Sequence, residues 1–120
     1  MKLRGLRGAT TCDVDTVDEI DTKTKALVAA MLERNEIDHE DLVSIIFTAT
    51  DDVTAMFPAT AARAVGLGDV PLLCARELDI KGGTPLCIRV LMHLTTDLSR
   101  QELHHVYLEG ARALRDDLPE

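Results

Sequence analysis

Aromatic residues are scarce in this sequence. Among its 120 residues there are two phenylalanines, one tyrosine and no tryptophan, namely Phe47, Phe57 and Tyr107. Proteins that bind single-stranded nucleic acid stack bases on several aromatic side chains, so the composition argues against that class. We expect an aliphatic core, against which an aromatic side chain at a ligand site would stand out.

Positive charge is also in short supply. The chain carries 13 Lys and Arg against 21 Asp and Glu, which gives a formal net charge of -8. A field of this sign opposes binding to nucleic acid or to an anionic lipid surface. An anionic substrate would therefore need a local cluster of arginines that reverses the field inside a pocket.

Long apolar runs are missing, and cysteines are few. The first eight residues contain no apolar segment of the signal-peptide type, and no stretch approaches the ~18 apolar residues of a membrane span. We therefore expect a cytoplasmic protein. Cys12, Cys74 and Cys87 are odd in number and lack C-x-x-C spacing, so neither a disulfide framework nor a zinc site is indicated.

Several familiar catalytic motifs do not occur. The sequence has no G-x-S-x-G, no P-loop, no G-x-G-x-x-G and no H-E-x-x-H. His104 and His105 form the only histidine cluster, and neighbours in sequence do not point to a common metal, so we interpret them as surface residues. No metal or cofactor is expected, and a redox, hydrolytic or metal mechanism has no anchor.

Hydrophobic periodicity predicts alternating strands and helices over a single domain, residues 1–120. A capping box, Thr16 with Glu19, opens the clearest helix, which ends near Asn35. The pattern indicates an α/β (α+β) fold with at least one right-handed crossover. The other predicted elements are strands at 2–12, 42–50, 70–78, 87–95 and 105–108, a short helix from Pro58 through Ala64, and helical turns at 99–102 and 109–114.

Charged side chains interrupt three of the predicted strands: Arg7, Glu77 and Arg89. Each has an ordinary explanation, because an arginine stem can cover apolar surface at a sheet edge and a glutamate can pair with a neighbouring basic residue. Tyr107, likewise, can be a core residue with its hydroxyl bonded to backbone. Taken together, the four form a pattern that these explanations account for less well.

Distinctive segments run along nearly the whole chain. They are Arg4-Gly-Leu-Arg7-Gly-Ala-Thr-Thr11, Ala49-Thr50-Asp51, Phe57-Pro58-Ala59, Val70-Pro71, Cys74, Glu77-Leu78-Asp79, Gly82-Gly83, Cys87-Ile88-Arg89-Val90, His105-Val106-Tyr107-Leu108-Glu109 and Leu114-Arg115. In this order they closely resemble the AroH class of monofunctional chorismate mutases. The resemblance implies a single mixed β-sheet with helices on one side, assembled as a trimeric pseudo-α/β-barrel.

The family reaction implied by the resemblance is the Claisen rearrangement of chorismate to prephenate, in phenylalanine and tyrosine biosynthesis. A unimolecular shift of this kind needs no nucleophile, general acid or cofactor, which fits the missing motifs. An enzyme can hold the flexible side chain over the ring and place positive charge where the ether oxygen becomes negative. Arginine suits both tasks because its fork binds carboxylates at two points and stays cationic.

The resemblance also implies roles for individual residues. Arg89 would meet the ether oxygen, Arg7 the side-chain carboxylate, and Glu77 the ring hydroxyl. The other substrate-binding residues that it implies are Tyr107, Cys74, Phe57, Ala59, Arg63, Leu114 and Arg115, with Phe57 and Arg63 supplied by the neighbouring subunit of a homotrimer.

Two departures and two alternatives accompany this reading. Position 60 is Thr60 where family members often carry a lysine, and the chain ends soon after Arg115. A small trimeric imine or enamine hydrolase would have similar size and architecture, and a non-catalytic trimer that binds a carboxylate metabolite is a third possibility. Fold similarity alone does not separate them.

Overall fold

One five-stranded mixed sheet organises the chain. The structure, a computed structural model, describes residues 1–115, the last of these by its backbone alone. The strands occur in the order β3-β2-β4-β1-β5; β4 is antiparallel to β1 and β2, whereas β3 is parallel to β2 and β5 to β1. In chain order the elements are β1 Lys2–Thr11, α1 Val17–Arg34, β2 Leu42–Ala49, α2 Pro58–Ala62, β3 Leu72–Arg76, β4 Cys87–Thr96 and β5 Val106–Tyr107.

Helix α1 begins and ends where the sequence predicts. The Thr16 hydroxyl accepts the backbone N–H of Glu19 at 3.2 Å, whereas the Glu19 carboxylate accepts the N–H of Asp13 instead of returning to Thr16. At the other end, Asn35 donates to the carbonyls of Met31 and His104. The capping box is therefore half formed, and Asn35 ties the end of α1 to the loop that precedes β5.

Both α-helices pack on one face of the sheet, which confirms the predicted layering. Gly8 shows how closely α1 approaches, because a Cβ at this position would lie 2.4 Å from the Met31 sulfur. An alanine here would force the buried Met31 side chain to shift, so glycine permits the close approach of the helix. The core between the layers is aliphatic apart from Phe47, and its largest buried members include Leu6, Leu27, Met31, Ile45, Met92 and Leu94.

Three predicted elements differ in extent. Strand β3 is shorter than 70–78, because β2, its only partner, ends at Ala49 opposite Arg76. Helix α2 gives way to a wider helical turn at Arg63–Leu67, where Gly66 takes a φ of 92°. The predicted helical turn at 99–102 is a single hydrogen-bonded turn: the Ser99 carbonyl accepts the N–H groups of Glu102 and Leu103, Ser99 and Glu102 exchange capping hydrogen bonds, and no longer helix follows.

On the opposite face of the sheet, here called the outer face, no α-helix of residues 1–115 packs. A 3-10 segment, Glu109–Arg115, covers it only near β1 and β5. Large apolar side chains remain exposed on this face, among them Leu3 at 62%, Leu73 at 61% and Leu91 at 38%. None of the helices that the structure describes is both long enough and apolar enough to cross a membrane.

Candidate active site

Strand register assembles a row of residues across the outer face. Cα pairing places Ala75 beside Thr48, Thr48 beside Arg89, Arg89 beside Ala9, and Ala9 beside Tyr107. Side chains of paired residues point to the same face of a sheet. Residues from all five strands therefore converge on one line, at the end of the sheet where β2 and β3 finish.

Glu77 reaches back over this row from the residue that follows β3. Its Oε2 accepts the Thr48 hydroxyl at 2.8 Å and lies 3.5 Å from the Nε of Arg89, while its Oε1 accepts the N–H of Leu78 at 3.2 Å. The structure thus brings Glu77 and Arg89 together. Arg76, the alternative local partner, instead donates to backbone carbonyls at the end of β2.

Arg7 lies in the next row, on the strand that separates Arg89 from Tyr107. Arg7, Arg89 and Tyr107 line one hollow of about 290 Å³ on the outer face. Within residues 1–115 the Arg7 guanidinium has no ion-pair partner, so it offers an uncompensated positive charge. Tyr107 is buried against Ala9, Ala111 and the half-buried Leu114, which places the predicted Leu114 behind Tyr107.

A second hollow of about 470 Å³ opens beside the Glu77 and Arg89 pair. Its far wall is the loop 77–86, in which Gly82 has a φ of 83° at the predicted turn. Asp52 fastens the end of this loop by accepting the N–H of Leu86 with both carboxylate oxygens, at 3.1 and 3.0 Å. The two hollows share Arg89, which therefore faces both.

Phe57 and Cys74 line a different hollow, of about 510 Å³, at the free edge of β3. Phe57 is 72% exposed there, and Cys74 packs toward the helices, on the side of β3 opposite to Glu77. Strands β2 and β4 lie between β3 and Arg7, a separation of about 14 Å at the usual spacing between strands. One chain therefore holds the predicted site residues in two separate groups.

A family model described as chorismate mutase type I matches residues 3–118. The chain belongs to the chorismate mutase type I family. Chorismate mutase AroH of Bacillus subtilis (strain 168) is 45% identical over 119 residues, which cover 98% of this chain and 94% of that protein. Chorismate mutase AroH of Thermus thermophilus is 47% identical over 117 residues, or 97% of this chain and 96% of that protein.

A solved structure agrees with this assignment. The chorismate mutase from Clostridium thermocellum superimposes with a TM-score of 0.90 at 44% identity, and the match covers 92% of this chain and 98% of that chain. The resemblance inferred from the sequence motifs is confirmed, and so is the fold class, a single mixed sheet with helices on one side.

Three predicted residues of this chorismate mutase family member need separate comment. The Ala59 methyl group is 2% exposed and belongs to the core under α2, so its side chain is not available to a ligand. Arg63 is exposed directly after the end of α2, six residues beyond Phe57 in the sequence. The Arg115 side chain lies outside the described part of the chain.

Sequence reasoning missed two residues at the site. Thr48 donates its hydroxyl to Glu77, and His105, which is partly exposed, accepts the backbone N–H of Arg7 on its Nδ1 at 3.0 Å. No local signal marks either contact, because each depends on which strands lie side by side.

Cys87, beside Arg89, is buried, and burial raises the pKa of its thiol against the opposing effect of the arginine charge.

Proposed function

We propose that this chain rearranges chorismate to prephenate with the outer-face residues Glu77, Arg89, Arg7 and Tyr107. The observation that carries the proposal is the Glu77 and Arg89 pair, held beside Arg7, which has no ion-pair partner among residues 1–115, on a chain of this family. Chorismate mutase activity is expected from membership of the family, and the roles of the individual residues are part of this proposal.

The rearrangement is accelerated by restricting the conformation of the substrate side chain and by placing positive charge beside the ether oxygen. Arg89 would stabilise the ether oxygen as the bond breaks, and Arg7 would fix the side-chain carboxylate with help from Tyr107. A preorganised donor at developing negative charge contributes about 2.7–4 kcal/mol. Glu77 would accept the ring hydroxyl, and its charge favours positive character in the ring as the bond breaks. No cofactor is needed for this step.

A second copy of the chain completes the site in this proposal. Phe57 lies with Cys74 near the free edge of β3, away from the hollow of Arg7 and Tyr107, and Arg63 lines neither of these two hollows. A small dicarboxylate cannot contact both groups within one chain. Bringing the β3 edge of one copy against the outer face of another would join them and would also cover the exposed apolar side chains of that face.

The two surfaces that meet in this arrangement are different, so the contact is heterologous. Heterologous contacts form a closed ring when the rotation from copy to copy closes and an open filament when it does not, whereas a twofold dimer would pair each surface with itself. We therefore propose a homotrimer with three shared sites, forming the pseudo-α/β-barrel that the sequence resemblance implies. As part of the same proposal, residues 1–120 form one catalytic domain in the cytoplasm, where the three free cysteines stay reduced.

The activity is tested by mixing purified protein with chorismate, following the loss of chorismate absorbance and identifying prephenate as the product. An imine or enamine hydrolase, or a non-catalytic binding trimer, would leave chorismate unchanged. The solution mass should be three times the 13.1 kDa of one chain. A monomer or a dimer would contradict the shared site.

Subunit sharing has its own test in mixed trimers. Arg89→Ala and Phe57→Asp damage different groups, so co-refolding the two inactive variants should restore sites in which both groups are native. Arg89→Ala co-refolded with Arg7→Ala is the matched control, since both changes fall in the same group and no native site can form. Recovery in neither mixture would show that one chain supplies the whole site.

A further inference from the structure

The segment between β2 and α2 carries Phe57, and a side chain of the loop before α1 fastens the part of it that lies nearest to Phe57. The Oδ1 atom of Asp15 accepts the backbone N–H groups of Thr54 and Ala55 at 2.9 and 3.0 Å. Its Oδ2 atom accepts the hydroxyl of Thr54. One carboxylate thus receives three hydrogen bonds from two consecutive residues, in contacts that span 39 and 40 positions of sequence.

We propose that Asp15 is a positioning residue that holds residues 54–56 in the conformation that presents Phe57 to the substrate. This rests on the proposed function, in which Phe57 packs against the substrate ring. Asp15 directly precedes Thr16, the N-cap of α1. The carboxylate therefore connects a rigid helix end to an exposed segment two residues before Phe57.

Hydrogen bonding keeps this carboxylate in its accepting form. The Thr54 hydroxyl makes the largest contribution, followed by the backbone N–H groups of Thr54 and Ala55, and together they lower the pKa of Asp15. A charged acceptor forms stronger hydrogen bonds than a neutral one. The clamp should consequently persist at every pH at which the enzyme is assayed.

The rest of the segment is attached without Asp15. Val53 is 4% exposed and packs in a small core cluster with Ile20 of α1, and Arg76 donates to the carbonyls of Thr50 and Val53 at 2.7 and 3.3 Å. Removing the Asp15 carboxylate should therefore free Thr54 and Ala55 locally, whereas Met56, which packs against the same cluster as Val53, keeps that contact and the fold stays intact. The expected main effect is on substrate binding, with a loss of stability too small to unfold the protein.

Kinetics of Asp15 variants test the clamp. If the competent conformation falls to between a tenth and a third of the population, Asp15→Ala raises KM by about 3- to 10-fold. The value of kcat should stay within about twofold, because Phe57 does not stabilise the developing charge. Asp15→Asn keeps an Oδ1 acceptor and can donate to the Thr54 hydroxyl, so it should restore KM to within about twofold. Asp18→Ala, in the first turn of the same helix, is the control for loss of one acidic residue and should leave both constants unchanged.

A double-mutant cycle separates positioning from general support of the structure. If Asp15 acts through Phe57, then Asp15→Ala should raise KM no further once Phe57 is already alanine. Additive effects in the cycle, or an Asp15→Ala variant with wild-type KM, would overturn the inference. Should Asp15→Ala fail to fold, Thr54→Val removes the hydroxyl donor and enters the same cycle, with the same two outcomes.

Amide hydrogen exchange tests the hydrogen bonds from Thr54 and Ala55 to Asp15 independently of activity. The N–H groups of Thr54 and Ala55 should exchange faster in Asp15→Ala than in wild type, while those of α1 keep their protection. Unchanged exchange at both positions would also overturn the inference. If the wild-type protein is inactive on chorismate, the proposed function is wrong. If the wild-type protein is active and the Asp15→Ala variant has the same KM and the same amide exchange, only the inference about Asp15 is wrong.

Discussion

Replacing Arg89 by alanine removes the cation that the proposed mechanism sets against the ether oxygen. The structure predicts a large catalytic loss with a small cost in stability. Arg89 is half exposed, at 48% for its side chain, and its contact with Glu77 is a single Nε to Oε2 distance of 3.5 Å. Exposed ion pairs of this type contribute at most about 1 kcal/mol to folding. Glu77 also keeps its hydrogen bonds from Thr48 and from the Leu78 N–H.

The catalytic loss should be about 2.7–4 kcal/mol in transition-state stabilisation, which corresponds to roughly 100- to 1000-fold in kcat. Chorismate consumption measured at saturating substrate gives this number, and thermal unfolding of the same preparation checks that the variant is folded. Arg34→Ala, at the exposed end of α1, is the control for loss of one arginine and should retain full activity. A drop of less than tenfold in Arg89→Ala, with the fold intact, would refute the assignment of Arg89.

Three further predictions concern the scaffold. Gly8→Ala should destabilise the protein by about 1–3 kcal/mol in urea unfolding, because the added Cβ would lie 2.4 Å from the Met31 sulfur of α1. Gly5→Ala is the control and should change the stability little, because the nearest atom to its added Cβ is 3.6 Å away. Equal effects of the two substitutions would contradict this packing. The thiol of Cys12 has its pKa raised to about 11, mainly by burial, so a thiol reagent at pH 8 should modify Cys74 well before Cys12, and rapid labelling of Cys12 in folded protein would contradict its burial. Because the pKa of Asp15 is lowered in the folded state, its carboxylate stabilises the fold at pH values above its ordinary 3.8, and this contribution is lost as the pH falls through the lower folded value. The urea concentration at the unfolding midpoint should therefore decrease less steeply with acidification in Asp15→Asn than in wild type. Superimposable curves would refute this linkage.

Local patterns were sufficient for most of the secondary structure. The capping residue Thr16 and the apolar spacing after it located α1 to within a residue at each end, and alternation along β4 correctly separated the Arg89 face from the Met92 face. Element ends that depend on a partner were predicted less well. Strand β3 stops where β2 stops, and the capped segment at 99–102 forms one hydrogen-bonded turn without extending further.

The candidate site could be predicted as a set of residue types but not as an arrangement. Arg7, Glu77 and Arg89 stood out because charge is rare in apolar strands, whereas Thr48 and His105 carried no such mark. Their roles follow from pairing between strands that are distant in sequence. Ala59 shows the converse, since a residue within a recognisable motif turned out to lie in the core.

What the sequence determined by itself was the family, the order of the elements and the identity of the charged residues, because motifs and periodicity are local properties of a chain. Only the tertiary structure decided that Glu77 pairs with Arg89, that one chain keeps Phe57 apart from Arg7, and that Asp15 clamps the segment in front of Phe57. The physical reason is that register and crossover connections bring together residues separated by tens of positions, and no local preference encodes those distances.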